Sequence, residues 1–244
     1  MSQALTDAQL LTIWERGLVL GPTERALLTL AVAEPSLDVA ELRSWPIGRR
    51  DARLFQLRAA TFGSAMRCCV TCPRCHGDSE FDVDLRDLCV RADRDGEVLD
   101  HDFDSCRVHA RLPTSEDLSA IEHVADLQEA EALLWGRCVE IHDCTGQRIA
   151  PEAIDAQLRV RIEAMLDECD PLLDPGFQVA CAECGLNWVA PCDAPHVLWL
   201  DFARSARELL AQVDALARAY GWTEDQILGL SRGRRQLYLA MVES

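Results

Sequence analysis

The sequence predicts an α+β fold that is mainly helical, with two cysteine-bearing hairpins and a small β-containing insert between them. Three observations carry this expectation. Apolar residues recur at three- and four-residue spacing through both ends of the chain, the signature of amphipathic helices. Two Cys-x-x-Cys turns stand far apart: Cys72-Pro73-Arg74-Cys75 and Cys181-Ala182-Glu183-Cys184. Short runs between Glu80 and Leu112 read as strands, with polar and apolar residues alternating most clearly over residues 80–85.

The elements follow in order. Thr6 and Gln9 form a capping box ahead of Leu10, Leu11, Ile13 and Trp14. Pro22 sits where a first helical turn tolerates proline, and Ala26, Leu27, Leu30 and Ala31 follow at helical spacing. Ser36 is expected to cap a short helix ending at Leu42, and Pro46 interrupts the pattern. Residues 50–62 read as a helix with Leu54, Leu57 and Ala60 on one face, closed by Gly63. Trp14 and Trp45 are expected in or against the core. Residues 66–71 and 80–85 make the strands around the first cysteine turn.

Asp95-Gly96 reads as a hairpin turn. Residues 98–103 and 106–112 read as strands about a turn near Asp104-Ser105. Ser115 is expected to cap a helix opening on Glu116-Asp117. Residues 127–139 continue helical, and a further helix spans 151–169 until Asp170-Pro171 stops it. Residues 177–180 and 187–190 flank the second cysteine turn. Beyond Pro195 a long helix carries Phe202, Leu209, Leu210, Val213, Leu216 and Tyr220, and Gly221 ends it. Thr223 with Gln226 caps a short helix, and a last one covers 233–242. The organisation expected is residues 1–64 helical, 65–86 with 176–193 as the cysteine hairpins, 87–175 inserted, and 194–244 helical again. The two helical ends are expected to pack together.

The cysteine turns carry the chemistry. Two residues between cysteines let both sulfurs face one tetrahedral ion, and the nearby glycines, Gly77 and Gly185, permit a tight turn beneath it. Together Cys72, Cys75, Cys181 and Cys184 supply four thiolates, which saturate a single Zn2+ and leave no place for water. The expectation is one structural zinc in a split zinc ribbon that clamps two distant parts of the chain. Redox Cys-x-x-Cys motifs open a helix after a strand, whereas both pairs here precede glycine and a strand-like run. Cys69 and Cys192 could each substitute as a ligand. Cys68, Cys89, Cys106, Cys138, Cys144 and Cys169 read as small core residues.

Composition narrows the function classes. The 244 residues are 49% hydrophobic, enough for a real core. The formal net charge is −17, and all 24 basic residues are arginine. That charge repels phosphate backbones, so no nucleic-acid partner is expected. Arg232, Arg234 and Arg235 form a local basic cluster, read as a solvated face at a helix start. The longest apolar runs are too short to span a bilayer, and residues 1–4 lack the basic start and apolar stretch of a signal peptide, so a cytoplasmic protein is expected, with its thiols reduced. The acidic series Asp93, Asp95, Asp100, Asp102 and Asp104 lacks the order of a calcium loop and reads as a strand face. His101 and His109 lie beside it without helical metal spacing, and His196 reads as a capping or surface residue. There is no Gly-x-Ser-x-Gly elbow, P-loop, dinucleotide fingerprint or His-Glu-x-x-His, so no enzyme is expected.

The C-terminal part carries a more specific likeness. Leu198-Trp199, the stretch Ala217-Arg218-Ala219-Tyr220-Gly221-Trp222-Thr223-Glu224-Asp225-Gln226-Ile227-Leu228-Gly229-Leu230, and Arg234-Arg235-Gln236-Leu237-Tyr238-Leu239 form a long helix, an aromatic turn, a short helix and an Arg-Arg-x-x-Tyr helix. Arg25-Ala26-Leu27, Gly48-Arg49-Arg50-Asp51-Ala52 and Arg111-Leu112-Pro113-Thr114 add to it. The chain resembles zinc-ribbon-containing members of the baseplate and hub-assembly protein family of contractile-tailed phages and contractile injection systems. The resemblance implies a structural or assembly role, partners among baseplate, hub or spike proteins, incorporation into a phage-tail-like particle, and no catalytic residues. Tyr220, Trp222, Arg234, Arg235 and Tyr238 are the candidate partner contacts, since aromatics and arginine dominate interface hot spots. A zinc-ribbon adaptor and a thiol-redox or metal-handling protein are the alternatives.

Overall fold

A computed structural model describes residues 3–89, 98–103, 106–150, 153–173 and 175–242. Helices α1 (Asp7–Gly17), α2 (Pro22–Ala33), α3 (Val39–Ser44) and α4 (Ile47–Phe62) lead to the hairpin β1 (Ala65–Thr71) and β2 (Asp78–Asp84), then α5 (Leu85–Cys89). The insert follows as β3 (Leu99–Phe103), β4 (Cys106–Ala110), α6 (Ser115–Ile121), α7 (Leu127–Cys138), β5 (Val139–Asp143), β6 (Arg148–Ile149) and α8 (Ala156–Cys169). A second hairpin, β7 (Gly176–Ala180) and β8 (Asn187–Pro191), returns the chain to α9 (Ala194–Tyr220), α10 (Glu224–Leu228) and α11 (Arg232–Val242). Among the described residues no helix is long and apolar enough to cross a membrane.

Local chemistry explains most boundaries. Thr6 caps α1 reciprocally with Gln9, and Thr223 caps α10 with Gln226. Gly221 ends α9 in the left-handed conformation, φ 69°. Elsewhere the boundaries move. Asp38, not Ser36, caps α3, its carboxylate accepting the Ala40 N–H at 3.1 Å. Helix α4 starts at Ile47, because Pro46 serves as its cap residue where a missing N–H costs nothing. Strand β2 covers Asp78–Asp84, and Leu85, expected within it, opens α5. Thr114 replaces Ser115 ahead of α6; its N–H and hydroxyl both donate to Asp117 Oδ2 at 2.9 Å. Helix α8 begins at Ala156, capped by Asp155.

The largest departure is the insert sheet. The sequence reads as helical over residues 127–139, with the next element a helix from 151. Instead α7 ends at Cys138, and β5 and β6 complete an antiparallel sheet of order β3-β4-β5-β6. Val139-Glu-Ile-His-Asp has the two-residue period of a strand, and β5 buries Val139 and Ile141 against β4. The expected turns at Asp95-Gly96 and Asp104-Ser105 lie outside the described residues.

Apolar burial falls into two clusters. One joins α1, α2, α4 and α9 through residues such as Ile13, Leu27, Leu30, Phe55, Leu198 and Phe202, so the helical ends do pack together. The other lies between the insert sheet and α8, around Val108, Ile141 and Ile162. Trp45 is buried and Trp14 half-buried against the first cluster. Polar contacts lock the insert to the helices: Ile47 N–H donates to the Pro113 carbonyl at 3.0 Å, Gly48 N–H to Asp170 Oδ2 at 2.9 Å, and Arg50 to Ser115 Oγ at 3.2 Å.

Candidate metal centre

The two cysteine turns are built on one plan. In β1–β2 the last paired residues are Thr71 and Asp78, so 72–77 is the loop; in β7–β8 they are Ala180 and Asn187, leaving 181–186. Cys72 N–H donates to the Gly77 carbonyl at 2.9 Å, and Cys181 N–H to the Leu186 carbonyl at 2.9 Å. His76 N–H returns to the Cys72 carbonyl and Gly185 N–H to the Cys181 carbonyl, each at 3.0 Å. The fifth loop position is left-handed in both, with φ 60° at His76 and 68° at Gly185.

The glycines therefore differ from expectation. Gly185 meets the backbone demand of its turn, but in the first turn His76 meets it and not Gly77. A Cβ on Gly77 would lie 2.3 Å from a carboxylate oxygen of Glu183, which places the second turn directly against the first. Behind the turns, Phe81 on β2 and Phe177 on β7 meet edge to face at 5.5 Å.

This packing brings the four sulfurs within 4.8 Å of one another. Cys72 lies 3.6 Å from Cys184 and Cys75 lies 3.5 Å from Cys181. Four sulfurs about 2.3 Å from a tetrahedral zinc sit roughly 3.8 Å apart, so the set fits such an ion. Cys72 and Cys181 are buried, Cys75 and Cys184 half-buried. The Cys75 and Arg74 N–H groups help pull the Cys72 thiol down to about 7. The Gly77 N–H favours the Cys75 thiolate, but the neighbouring Cys181 and Cys184 thiols and burial outweigh it and push Cys75 up to about 12. Four thiols so close cannot all ionise unless a cation shares their charge. Among the described residues this is the one group of three or more ligand-type side chains with such geometry.

Cys69 and Cys192 stay outside the group. Cys69 is exposed on β1 opposite Glu80. Cys192 is buried in the helical core, where desolvation pushes its thiol up to about 12. Cys106 and Cys138 are buried in the insert as expected, whereas Cys144 is exposed. The side chain of Cys89 lies outside the described residues. Asp100 and Asp102 form an exposed strand face, paired with His109 and Arg107, while Asp93, Asp95 and Asp104 also fall outside. His101 packs on Phe103, and His196 is an exposed residue whose N–H is capped by Asp193.

At the C-terminus, Tyr220, Trp222 and Tyr238 form one aromatic group: Tyr220 stacks on Trp222 at 4.6 Å, and Tyr238 meets Trp222 edge-on at 4.9 Å. Arg234 is exposed beside them. Arg235, read from the sequence as solvated and as a partner contact, is 1% exposed. It pairs with Asp7 on α1 and donates to Gln212 Oε1 at 3.2 Å and the Leu230 carbonyl at 3.1 Å. A helix otherwise without buried side chains needs such an anchor. Nothing in the local sequence separates Arg235 from Arg234; only the hundred-degree step between neighbours on a helix does.

Sequence reading also missed Arg58. It is buried, pairs with Asp201 on α9 at 3.0 Å, and donates to the Gly63 and Ala65 carbonyls at 2.9 Å. It thus fixes the base of the first hairpin to the helix that follows the second.

The family of T4 bacteriophage base plate proteins matches residues 31–186, more than half of the chain, and this protein belongs to it. The matched segment runs from within α2 through the insert and both cysteine turns, and stops before the C-terminal helices that carried the likeness read from the sequence. No curated protein and no solved structure matches the chain.

Proposed function

We propose that the protein is a non-enzymatic structural or assembly component of a contractile-tail baseplate or hub, stabilised by one structural Zn2+. Membership of the base plate family, across a segment that contains every proposed ligand, is the observation that carries this reading. Cys72, Cys75, Cys181 and Cys184 are the proposed ligands of a zinc ribbon split by the insert. Zinc bound there supplies a cross-link between hairpins 106 residues apart in sequence. With four protein ligands it has no open position, which suits a scaffold. Tyr220, Trp222, Arg234 and Tyr238 are the proposed contacts with hub, spike or other baseplate proteins, and Arg235 holds their helix in place. The protein would be made in the cytoplasm and act within a tail particle or its assembly intermediate. Affinity purification of the tagged chain from its native cell, with mass spectrometry of the co-purifying proteins, tests this. Recovery of spike, hub, baseplate or tube proteins is expected; recovery of polymerase or redox enzymes in their place would overturn it.

A further inference from the structure

Two surfaces of this chain are complementary and cannot meet within one molecule. The first lies after α1, where residues 18–21 turn towards α2. Leu18 is 54% and Val19 89% exposed. The Glu122 carboxylate lies over Gly21, close enough that a side chain there would collide with it, which places the turn between α6 and α7 alongside. Leu127, opening α7, is 80% exposed, and Glu129, two residues on, is exposed. Among the described residues neither Glu122 nor Glu129 makes an ion pair. This end of the molecule is apolar with an acidic rim.

The second surface is α11. Leu237 is 64% and Met241 63% exposed, one turn apart on the same face. Arg234 continues that stripe towards the helix start, and Arg232 lies nearby. Among the described residues neither arginine has an ion-pair partner, although the chain holds 41 acidic residues against 24 basic ones. Glu224 and Asp225 on α10 make no ion pair with them, whereas Arg218 is already paired with Asp214 at 2.8 Å. A groove of about 160 Å³ between Trp222, Gln226, Leu230, Arg234 and Tyr238 opens beside the stripe and has room for an aliphatic side chain.

The anchor of α11 fixes the distance between the two surfaces. Arg235 pairs with Asp7 at the first turn of α1, and the Leu18–Val19 tip follows its last turn. Eleven residues of helix separate them by roughly 16 Å. The Leu18–Val19 tip and the Arg235 anchor of α11 therefore sit at opposite ends of one rigid helix.

We infer that copies of this chain associate head to tail, the acidic tip of one copy (Leu18, Val19, Leu127, with Glu122 and Glu129) seated on the basic helix of the next (Arg232, Arg234, Leu237, Met241). This rests on reading the α11 face as a contact surface and names a second copy as its partner. Charge complementarity selects this occupant: unpaired arginines beside an apolar stripe call for an apolar surface with unpaired acids, and the chain itself presents one. The contact is heterologous, so it propagates into a ring or a row instead of stopping at a symmetric dimer. Each surface is about one helix wide, which places it among small, weak interfaces that form at micromolar concentration and are reinforced by repetition.

Sedimentation velocity of the purified full-length chain, from low to high micromolar concentration, tests the inference. The chain should form species larger than a dimer, less so at high salt. The variant R232E/R234E and the variant E122R/E129R should each sediment as a monomer, with association weakened about tenfold or more. Mixed in equal amounts, the two variants should regain species larger than a dimer, since each charge-reversed end again meets an end of opposite charge on the other variant. Far-ultraviolet circular dichroism and metal content confirm that the variants are folded. A chain that stays monomeric throughout, or one whose association neither variant changes, overturns the inference. Co-purification of baseplate proteins is a separate result: it can fail while self-association holds, or hold while self-association fails.

Discussion

The two cysteine turns have the same hydrogen bonds and the same left-handed fifth position, yet they are held differently. The first is gripped at its base. Arg58 binds the carbonyls at the foot of β1, Leu85 N–H donates to the Ser64 carbonyl at 3.0 Å, and α5 follows at once into the helical core. The second stands between the insert and α9, with Cys192 N–H to the Pro175 carbonyl at 2.7 Å closing its base. The hairpins are thus joined twice. The sulfurs join them at the tips, and the Arg58–Asp201 pair joins their roots.

The largest effect should come from breaking the tip. Cys181→Ser or Cys72→Ser is expected to abolish tight zinc binding and to cost several kcal/mol, because structural zinc contributes folding energy directly. Metal analysis with thermal melts checks this, and full zinc with unchanged melting in Cys181→Ser would defeat the four-cysteine assignment. Hydrogen exchange should then rise over 65–84 and 176–191 while α9 stays protected, because the roots hold. Metal-free protein carries more protons on the four thiols than the bound form, so acidification should release zinc and alkaline pH retain it. A chelator assay across pH reads that sign.

Breaking the root comes next. Arg58→Met leaves Asp201 buried without its main partner and strands two carbonyls, which should cost about 3 kcal/mol. Zinc stoichiometry should survive. If zinc is lost as completely as in the cysteine variants, the two joints are not independent.

A smaller asymmetry distinguishes the turns themselves. Gly185→His asks a side chain to take a left-handed backbone where glycine now sits and should cost about 1 kcal/mol. His76→Gly relieves that strain but adds unfolded-state freedom, so the two nearly cancel and stability should move by less than about 0.5 kcal/mol. Equal effects at both positions, read by denaturant melts, would refute the difference. The smallest change expected is at Glu183, whose carboxylate lies 3.7 Å from Cys75 Sγ. Glu183→Gln removes one negative charge beside the thiolates and should slow zinc loss to a chelator about twofold, without changing stoichiometry.

Much of this arrangement is legible along the chain because its causes are local. Caps such as Thr6 with Gln9 and Thr223 with Gln226, the stop at Gly221 and the reach of each Cys-x-x-Cys depend on neighbours within a turn. The failures are equally instructive. Strand β5 follows α7 without a breaking residue, so its short two-residue period is read as a continuation of the helix until pairing with β4 separates the two. Arg235 and Arg234 are adjacent and chemically identical, yet the helix turns one inward to Asp7 and the other outward.

By itself, then, the sequence determined the helical ends, the two cysteine turns and an acidic balance that disfavours nucleic acid. These depend on residue type and short-range spacing. Only the tertiary structure decided that the four sulfurs meet, that Glu183 lies against Gly77, that Arg58 ties the hairpin roots, and that Arg235 turns inward to Asp7. Each of those depends on residues brought together across long stretches of chain by the burial of two apolar cores, and no local pattern encodes such a distance.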